Sequence, residues 1–340
     1  MTHEGLEDPV SEMLRSAGIG GAFSLHSLAG GGNNRVYLVR TLDARFLLKR
    51  YYRDADNINR RLHSEFAFSS FAWNSGIDAV PRPVAKDEDS SLALYEFIEG
   101  EPLRPDEIDR GKVCLALAFF LSLNSPERRE EARRLPEAAE ACFSIDQHLR
   151  CVERRIRLLL GMETKTPLQR EAKRFLEEDL SEKWRIIADH VRCWGRGEGY
   201  DLSQESHPEE RCVSPSDFGF HNALREPDGR LRFFDFEYAG RDDPAKAVCD
   251  FFCQPALPVP SDCWKSFATP VAGMYGRPEF HLRRFKMLLP VYRVKWCCIM
   301  LNPFLPAGSS RRSFAMRDWQ LDDYKEEQLA KAKRLARCTE

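Results

Sequence analysis

The chain is short of several features that decide where a protein resides and what it touches. No run of residues reaches the length of a membrane span: the most apolar stretch, Met287 to Leu301, is broken by Arg293 and Lys295. The N-terminal MTHEGLEDPVSEM lacks a basic region leading into an apolar one, so no secretory leader is expected. Eleven cysteines make an odd number with no Cys-x-x-Cys pair, and no histidines cluster near them. Reduced cysteines packed as small apolar side chains are therefore expected, rather than disulfides or zinc ligands, with Cys297 and Cys298 facing different neighbours from one helix. A formal net charge of -2 leaves no electrostatic case for nucleic acid or an anionic membrane. The arginine clusters (Arg154, Arg155 and Arg157; Arg311 and Arg312) are short and lie near acidic residues, so they read as solvated helix faces. Internal repeats and low-complexity tracts are missing too. The expectation is a cytoplasmic globular protein that partners neither nucleic acid nor membrane.

What is present divides in two. At 340 residues, with 43% hydrophobic and 31% charged content, the chain can bury the cores of two lobes. Short β-like runs come first: Phe23 to Ala29, Arg35 to Thr41 and Arg45 to Tyr51, joined by GGGNN and LDA as an antiparallel meander. A helix is predicted from Asn57 to Asn74, with Leu62, Phe66 and Trp73 near helical spacing and Gly76 as its stop. PRPVA and the alternating Ser91 to Phe97 then read as two more strands, and FIEGEPL as a connector. Beyond it the period becomes helical. One helix is led by Pro105 and runs through Leu117 and Leu121; others are predicted near Leu135 to Leu160 and Leu168 to Val191. The polar, Gly-rich Gly195 to Arg211 reads as an exposed loop. The expected division is 1–97 and 98–340.

The chemistry concentrates between Ser214 and Asp250, in SPSDFGFHNAL, FFDFEYAG and DDPAKAVCD. Asp217, Asn222 and Asp235 fall on loops flanked by apolar strands. Two carboxylates and an amide at that spacing suit a site that holds a magnesium nucleotide and orients a hydroxyl nucleophile. The D-x-x-x-x-N pattern of Asp217 and Asn222, the F-D-F-E around Asp235 and the β-then-helix order resemble the aminoglycoside phosphotransferase and choline kinase branch of the protein-kinase-like superfamily.

That resemblance spans roughly Phe23 to Leu301 and implies an α+β bilobal fold, with a small β-rich nucleotide-binding lobe and a larger helical lobe carrying the acceptor site. It implies ATP, or GTP in its place, as phosphoryl donor, with Mg²⁺. Asp217 is then the catalytic base, Asn222 and Asp235 the metal ligands, and Lys49 the phosphate-contacting lysine paired with Glu65. Gly30, Gly31, Gly32, Asn33 and Asn34 correspond to a phosphate-cradling loop, though Arg35 stands where a third glycine is usual. Glu96, Phe97 and Ile98 correspond to the hinge beside adenine, and Asp250 to a residue that hydrogen-bonds the catalytic-loop backbone. The family's H-G-D histidine is absent, Pro215 and Ser216 preceding Asp217 instead. That absence alone supports a second class of reading, a pseudokinase-like binding or scaffold protein.

The gap from Asp235 to Asp250 is short and has no A-P-E motif, so a small-molecule hydroxyl acceptor is expected: a sugar, amino sugar or amino alcohol. Asp201, Glu205, Glu209 and Glu210 are candidates for an acidic acceptor pocket. Trp194, Trp264, Trp296 and Trp319 are candidates for an aromatic cage.

Overall fold

The computed structural model describes residues 5–28, 34–53, 59–306, 308 and 320–337. Its first part is a sheet built from β1 (Ser24–Leu28), β2 (Arg35–Arg40), β3 (Arg45–Arg50), β4 (Pro83–Asp87) and β5 (Leu92–Glu96) in the antiparallel order β1-β2-β3-β5-β4. The alternation of side chains along a strand assigns the two faces. Phe46 and Leu48 of β3 and Leu92 and Leu94 of β5 pack with Leu6, Val10, Met13 and Leu14 around helix α1 (Glu7–Ser16). That helix was not foreseen from the sequence. The other face carries Ala93 and Tyr95, which pack with Tyr51 and with Leu62 of α2 (Arg60–Asn74).

β6 (Glu101–Pro102) follows β5 and joins the sheet β6-β8-β9, with β8 at Ala223–Arg225 and β9 at Leu231–Phe233. The remainder is mainly helical. α3 (Arg110–Leu123) starts at the Asp109 cap, α4 is the single turn Arg129–Ala132, and α5 (Ile145–Leu160) starts at the Ser144 cap. α6 (Pro167–Arg174), a π-helical turn over Phe175–Leu180 and α7 (Ser181–Gly197) follow without a break. β7 (Cys212–Ser214) pairs with β10 (Gly240–Asp242). α8 (Pro244–Cys253), α9 (Trp264–Gly273), α10 (Pro278–Leu301) and α11 (Gln320–Arg337) complete the chain. α10 is buried over most of its circumference and packs against α5, α7, α8, α9 and α11.

The ten cysteines among the described residues are free thiols, eight of them buried, and burial pushes the Cys298 thiol up to about 12. No helix among the described residues is long and apolar enough to cross a membrane.

Candidate active site

Strand alternation turns Lys49 away from Phe46 and Leu48, toward α2. Its Nζ donates to Glu65 Oε2 at 2.6 Å and to Asp235 Oδ1, bridging the sheet to the segment after β9. Glu65 is saturated further: it accepts the Tyr51 hydroxyl at 2.7 Å and the Phe236 amide at 3.3 Å. The Tyr95 hydroxyl lies 3.0 Å from that of Tyr51.

The β8–β9 hairpin explains why residues thirteen apart in sequence meet. Ala223 pairs with Phe233, so Asn222 sits just before that pair and Asp235 two residues after it. The Phe234 amide donates to the Asn222 carbonyl at 3.0 Å, and Asn222 Nδ2 donates to the Asp217 carbonyl at 2.9 Å. Asn222 Oδ1 and Asp235 Oδ2 accept no hydrogen bond among the described residues. Both are hard oxygens of the kind that suits Mg²⁺, which takes few protein ligands and completes its octahedron with phosphate and water. No cluster of three or more His, Cys, Asp or Glu among the described residues offers a fuller metal cage. Asp235 holds a left-handed backbone, φ 66°, and so does Ser216, φ 65°.

With Pro215 in place of the histidine, the 215–222 loop has other supports. The Ser216 amide donates to Ser214 Oγ at 3.1 Å, and His221 Nε2 lies 3.3 Å from Asp217 Oδ1. Burial opposes ionisation of Asp217, yet the bond and charge of His221, with Asn222 and Lys295, hold its carboxyl below the usual range. Burial likewise disfavours protonated His221, but Asp217 outweighs it and raises the imidazole. Burial raises the Asp235 carboxyl against the pull of Lys49, with Glu237 adding to the rise. Burial alone would lower Lys49; Asp235, Glu65 and Glu237 hold its ammonium well above the usual lysine range. A cation is therefore fixed among three carboxylates.

A cavity of about 840 Å³ opens beside Asp217, within the size range of small-molecule sites. Ser216, Asp217 and His221 line one part of it. Lys246, Asp250, Lys295 and Trp296, from α8 and α10, line another; Glu140, Arg154 and Arg155 a third; and Tyr324, Gln328 and Lys331 of α11 a fourth.

Several sequence expectations change here. Gly30, Gly31, Gly32 and Asn33 lie outside the described residues, as do Arg311, Arg312 and Trp319. Asn34 is not poised over phosphate: it is buried, donating Nδ2 to Glu237 Oε2 at 2.6 Å and accepting the Tyr52 amide at 3.1 Å. The Glu96 amide donates to the Arg82 carbonyl and its carboxylate accepts Arg232 at 2.8 Å. Phe97 and Ile98, expected beside adenine, lie just past β5, and their backbone groups enter no loop or turn hydrogen bond among the described residues. Asp250 does not hold the loop backbone; its carboxylate accepts Lys295 Nζ at 2.9 Å on both oxygens and Trp296 Nε1 at 2.9 Å. Arg155 is not a solvated-face arginine, for it pairs with Glu140 against the cavity. Asp201, Glu205, Glu209 and Glu210 do not line the cavity, and of the described tryptophans only Trp296 does. Sequence reasoning missed Glu237 and Tyr51, two partners of the Lys49 cluster. The second acidic residue of F-D-F-E was a usable signal; a tyrosine two residues after a strand lysine was not.

A sequence profile described as the Phosphotransferase enzyme family matches residues 24–286. Among solved structures, choline kinase LicA from Streptococcus pneumoniae superposes with a TM-score of 0.59 at 14% identity, covering 98% of this chain and 99% of that one. LicA has also been solved with AMP. Ethanolamine kinase from Plasmodium vivax gives 0.59 at 15% identity over 94% of this chain and 85% of that one. A spectinomycin phosphotransferase, in complex with ADP and spectinomycin, gives 0.57 at 13% over 96% and 98%. At such identities the likeness is one of fold, and the fold is the protein-kinase-like bilobal one. Comparison with curated proteins finds no match.

Proposed function

The chain belongs to the Phosphotransferase enzyme family, and from that premise we propose that it transfers the γ-phosphate of ATP to a hydroxyl of a sugar, amino sugar or amino alcohol. The observation that supports this most is the convergence of Lys49, Glu65, Asp235 and Asn222 beside Asp217, with a small-molecule cavity opening from that carboxylate. In this reading residues 1–97 hold the nucleotide and 98–340 present the acceptor.

Lys49, held in position by Glu65, meets the phosphates. Asn222 and Asp235 supply the oxygens for Mg²⁺, which when bound neutralises phosphate charge. Phe97 and Ile98 offer backbone groups to adenine. Asp217 aligns the acceptor hydroxyl and takes its proton. Its depressed carboxyl makes it a weak base, so orientation is the larger part of its work, in keeping with the loose transition state of phosphoryl transfer.

The experiment is a screen of Mg-ATP turnover over those acceptor classes, followed by two variants. Asp217→Asn is expected to lower turnover by about 10²–10⁴-fold with nucleotide affinity kept. Asp235→Asn is expected to weaken Mg-ATP binding as well, since it removes the only carboxylate ligand. Near-normal turnover in Asp217→Asn would overturn the assignment. Mg-ATP binding without phosphorylation of any acceptor would favour a binding or scaffold role.

A further inference from the structure

The charges lining the cavity beside Asp217 are not those of a site for cations. Among the described residues, five cations, Arg154, Arg155, Lys246, Lys295 and Lys331, line the cavity with three carboxylates, Glu140, Asp217 and Asp250. Asp217 is taken by its role toward the hydroxyl. The other two carboxylates are each matched twice. Glu140 accepts Arg155 and, at 3.3 Å, Arg154. Asp250 accepts Lys295 at 2.9 Å and has Lys246 at 3.5 Å.

Two of the cations have partners beyond the lining residues: Lys246 pairs with Asp242 at 2.6 Å and Lys331 with Glu327 at 2.6 Å. Setting these aside, Arg154, Arg155 and Lys295 still outnumber Glu140 and Asp250. Arg155 also has a buried Nε–H with no acceptor among the described residues. Trp296, the one described tryptophan at the cavity, commits its Nε1–H to Asp250 rather than completing an aromatic cage.

We infer that the acceptor carries an oxyanion, a carboxylate or a phosphate, besides its hydroxyl, and that Arg154, Arg155 and Lys295 are the cations that select it. A protonated amine would enter a cavity that, among the described residues, has no unmatched carboxylate and a surplus of like charge. An oxyanion instead meets guanidinium and ammonium donors already held in place. The inference rests on the phosphotransferase reading. The acceptor oxygen forms a bond to the γ-phosphorus, the β–γ bridging P–O bond breaks, the hydroxyl proton passes to Asp217, and ADP leaves.

The test is Mg-ATP turnover by the full chain on matched panels of neutral sugars, amino sugars, amino alcohols, uronic acids and sugar phosphates. The uronic acid and sugar phosphate arms distinguish carboxylate from phosphate. One anionic class is expected to give the highest kcat/KM. For its best member, Arg154→Ala, at a largely exposed position where folding is safe, is expected to raise KM about tenfold with kcat little changed. Arg154→Glu should raise it further, and added salt should raise the KM of the unaltered protein. Preference for amino sugars, amino alcohols or neutral sugars, or an unchanged KM in both variants, overturns the inference while leaving the phosphotransferase standing. Failure on every panel removes the phosphotransferase reading and this one with it.

Discussion

Lys49 is the residue whose loss reaches furthest. Among the described residues it alone forms an ion pair with Glu65 and Asp235, and Glu237 adds a third negative charge to the same region. Lys49→Met therefore leaves buried like charges together, and breaking such a pair costs about 3–5 kcal/mol. Glu65→Gln removes one of those charges. The double variant should then be less destabilised than the two single effects predict, by about 1 kcal/mol or more in urea unfolding. Additive effects would show that the two side chains do not act as a unit. The meeting of Lys49 with Glu65 and Asp235, and of Asn222 with Asp217, was legible because Lys49, Asp217, Asn222 and Asp235 stand in short motifs near strand ends and Glu65 on the helix that follows β3. Asn34 was misread because an asparagine beside glycines reads as a turn whether it faces phosphate or, as here, a buried glutamate. Asp250 was misread because its partners, Lys295 and Trp296, lie some 45 residues away on α10, where no local pattern reveals them.

At the scale of elements, the start of α8 bears more than a cap. Asp243 accepts the Ala245 amide at 2.7 Å behind Pro244, and its carboxylate also receives both terminal nitrogens of the buried Arg284. Burial disfavours the ionised form, but Arg284 and His148 hold its carboxyl far below the usual range. Asp243→Ala should cost the cap, about 1 kcal/mol, and in addition strand a buried guanidinium, about 3–5 kcal/mol. Asp243→Asn keeps a capping oxygen and loses the charge, so it should fall between. Thermal or denaturant unfolding of the pair separates the two effects; an Asn variant as stable as the parent would mean the ion pair contributes nothing.

Beyond α1, element existence was legible from period, but two bounds were not. The helix expected from Leu135 begins only at Ile145, because 136–139 runs beside β10 with backbone bonds to Tyr238 and Arg241. Gly240 permits that approach: a Cβ there would lie 2.5 Å from the Pro136 carbonyl oxygen. The single helix expected over Leu168 to Val191 is interrupted by the π-helical turn, yet Ala172, Phe175, Leu176, Leu180, Trp184 and Val191 still all point inward. A hydrophobic stripe records which side is buried and is blind to one extra residue per turn.

Across the whole molecule, the division into a sheet and a helical body was readable because period two gives way to period 3.6 at the connector. The ties between them were not, since Lys49–Asp235, Asn34–Glu237 and Arg232–Glu96 each join residues more than 130 positions apart. Acid should act on the helical body through Glu140. Burial would raise its carboxyl, but Arg155, with Lys295 and Lys246, lowers it from the usual 4.5 to about 2. A carboxyl depressed by folding contributes stability that is complete above pH 4.5 and lost as pH falls to about 2. Glu140→Gln should accordingly lower the urea midpoint at neutral pH. Its deficit against the parent should shrink between those two values. A deficit that stays constant down to pH 2 would rule out the linkage.

Asp235 joins two requirements that come from different physics. Its left-handed backbone, φ 66°, is tolerated by glycine, asparagine and aspartate and resisted by most other residues. Its charge, set against Lys49, is available only from aspartate or glutamate. Aspartate alone satisfies both, so genetic drift at this position has no neutral neighbour. A lineage released from selection for phosphoryl transfer would depart most readily through asparagine or glycine. Either keeps the shape of the loop and abandons its charge, so such a descendant would retain the fold and be told apart from an active relative by this one codon.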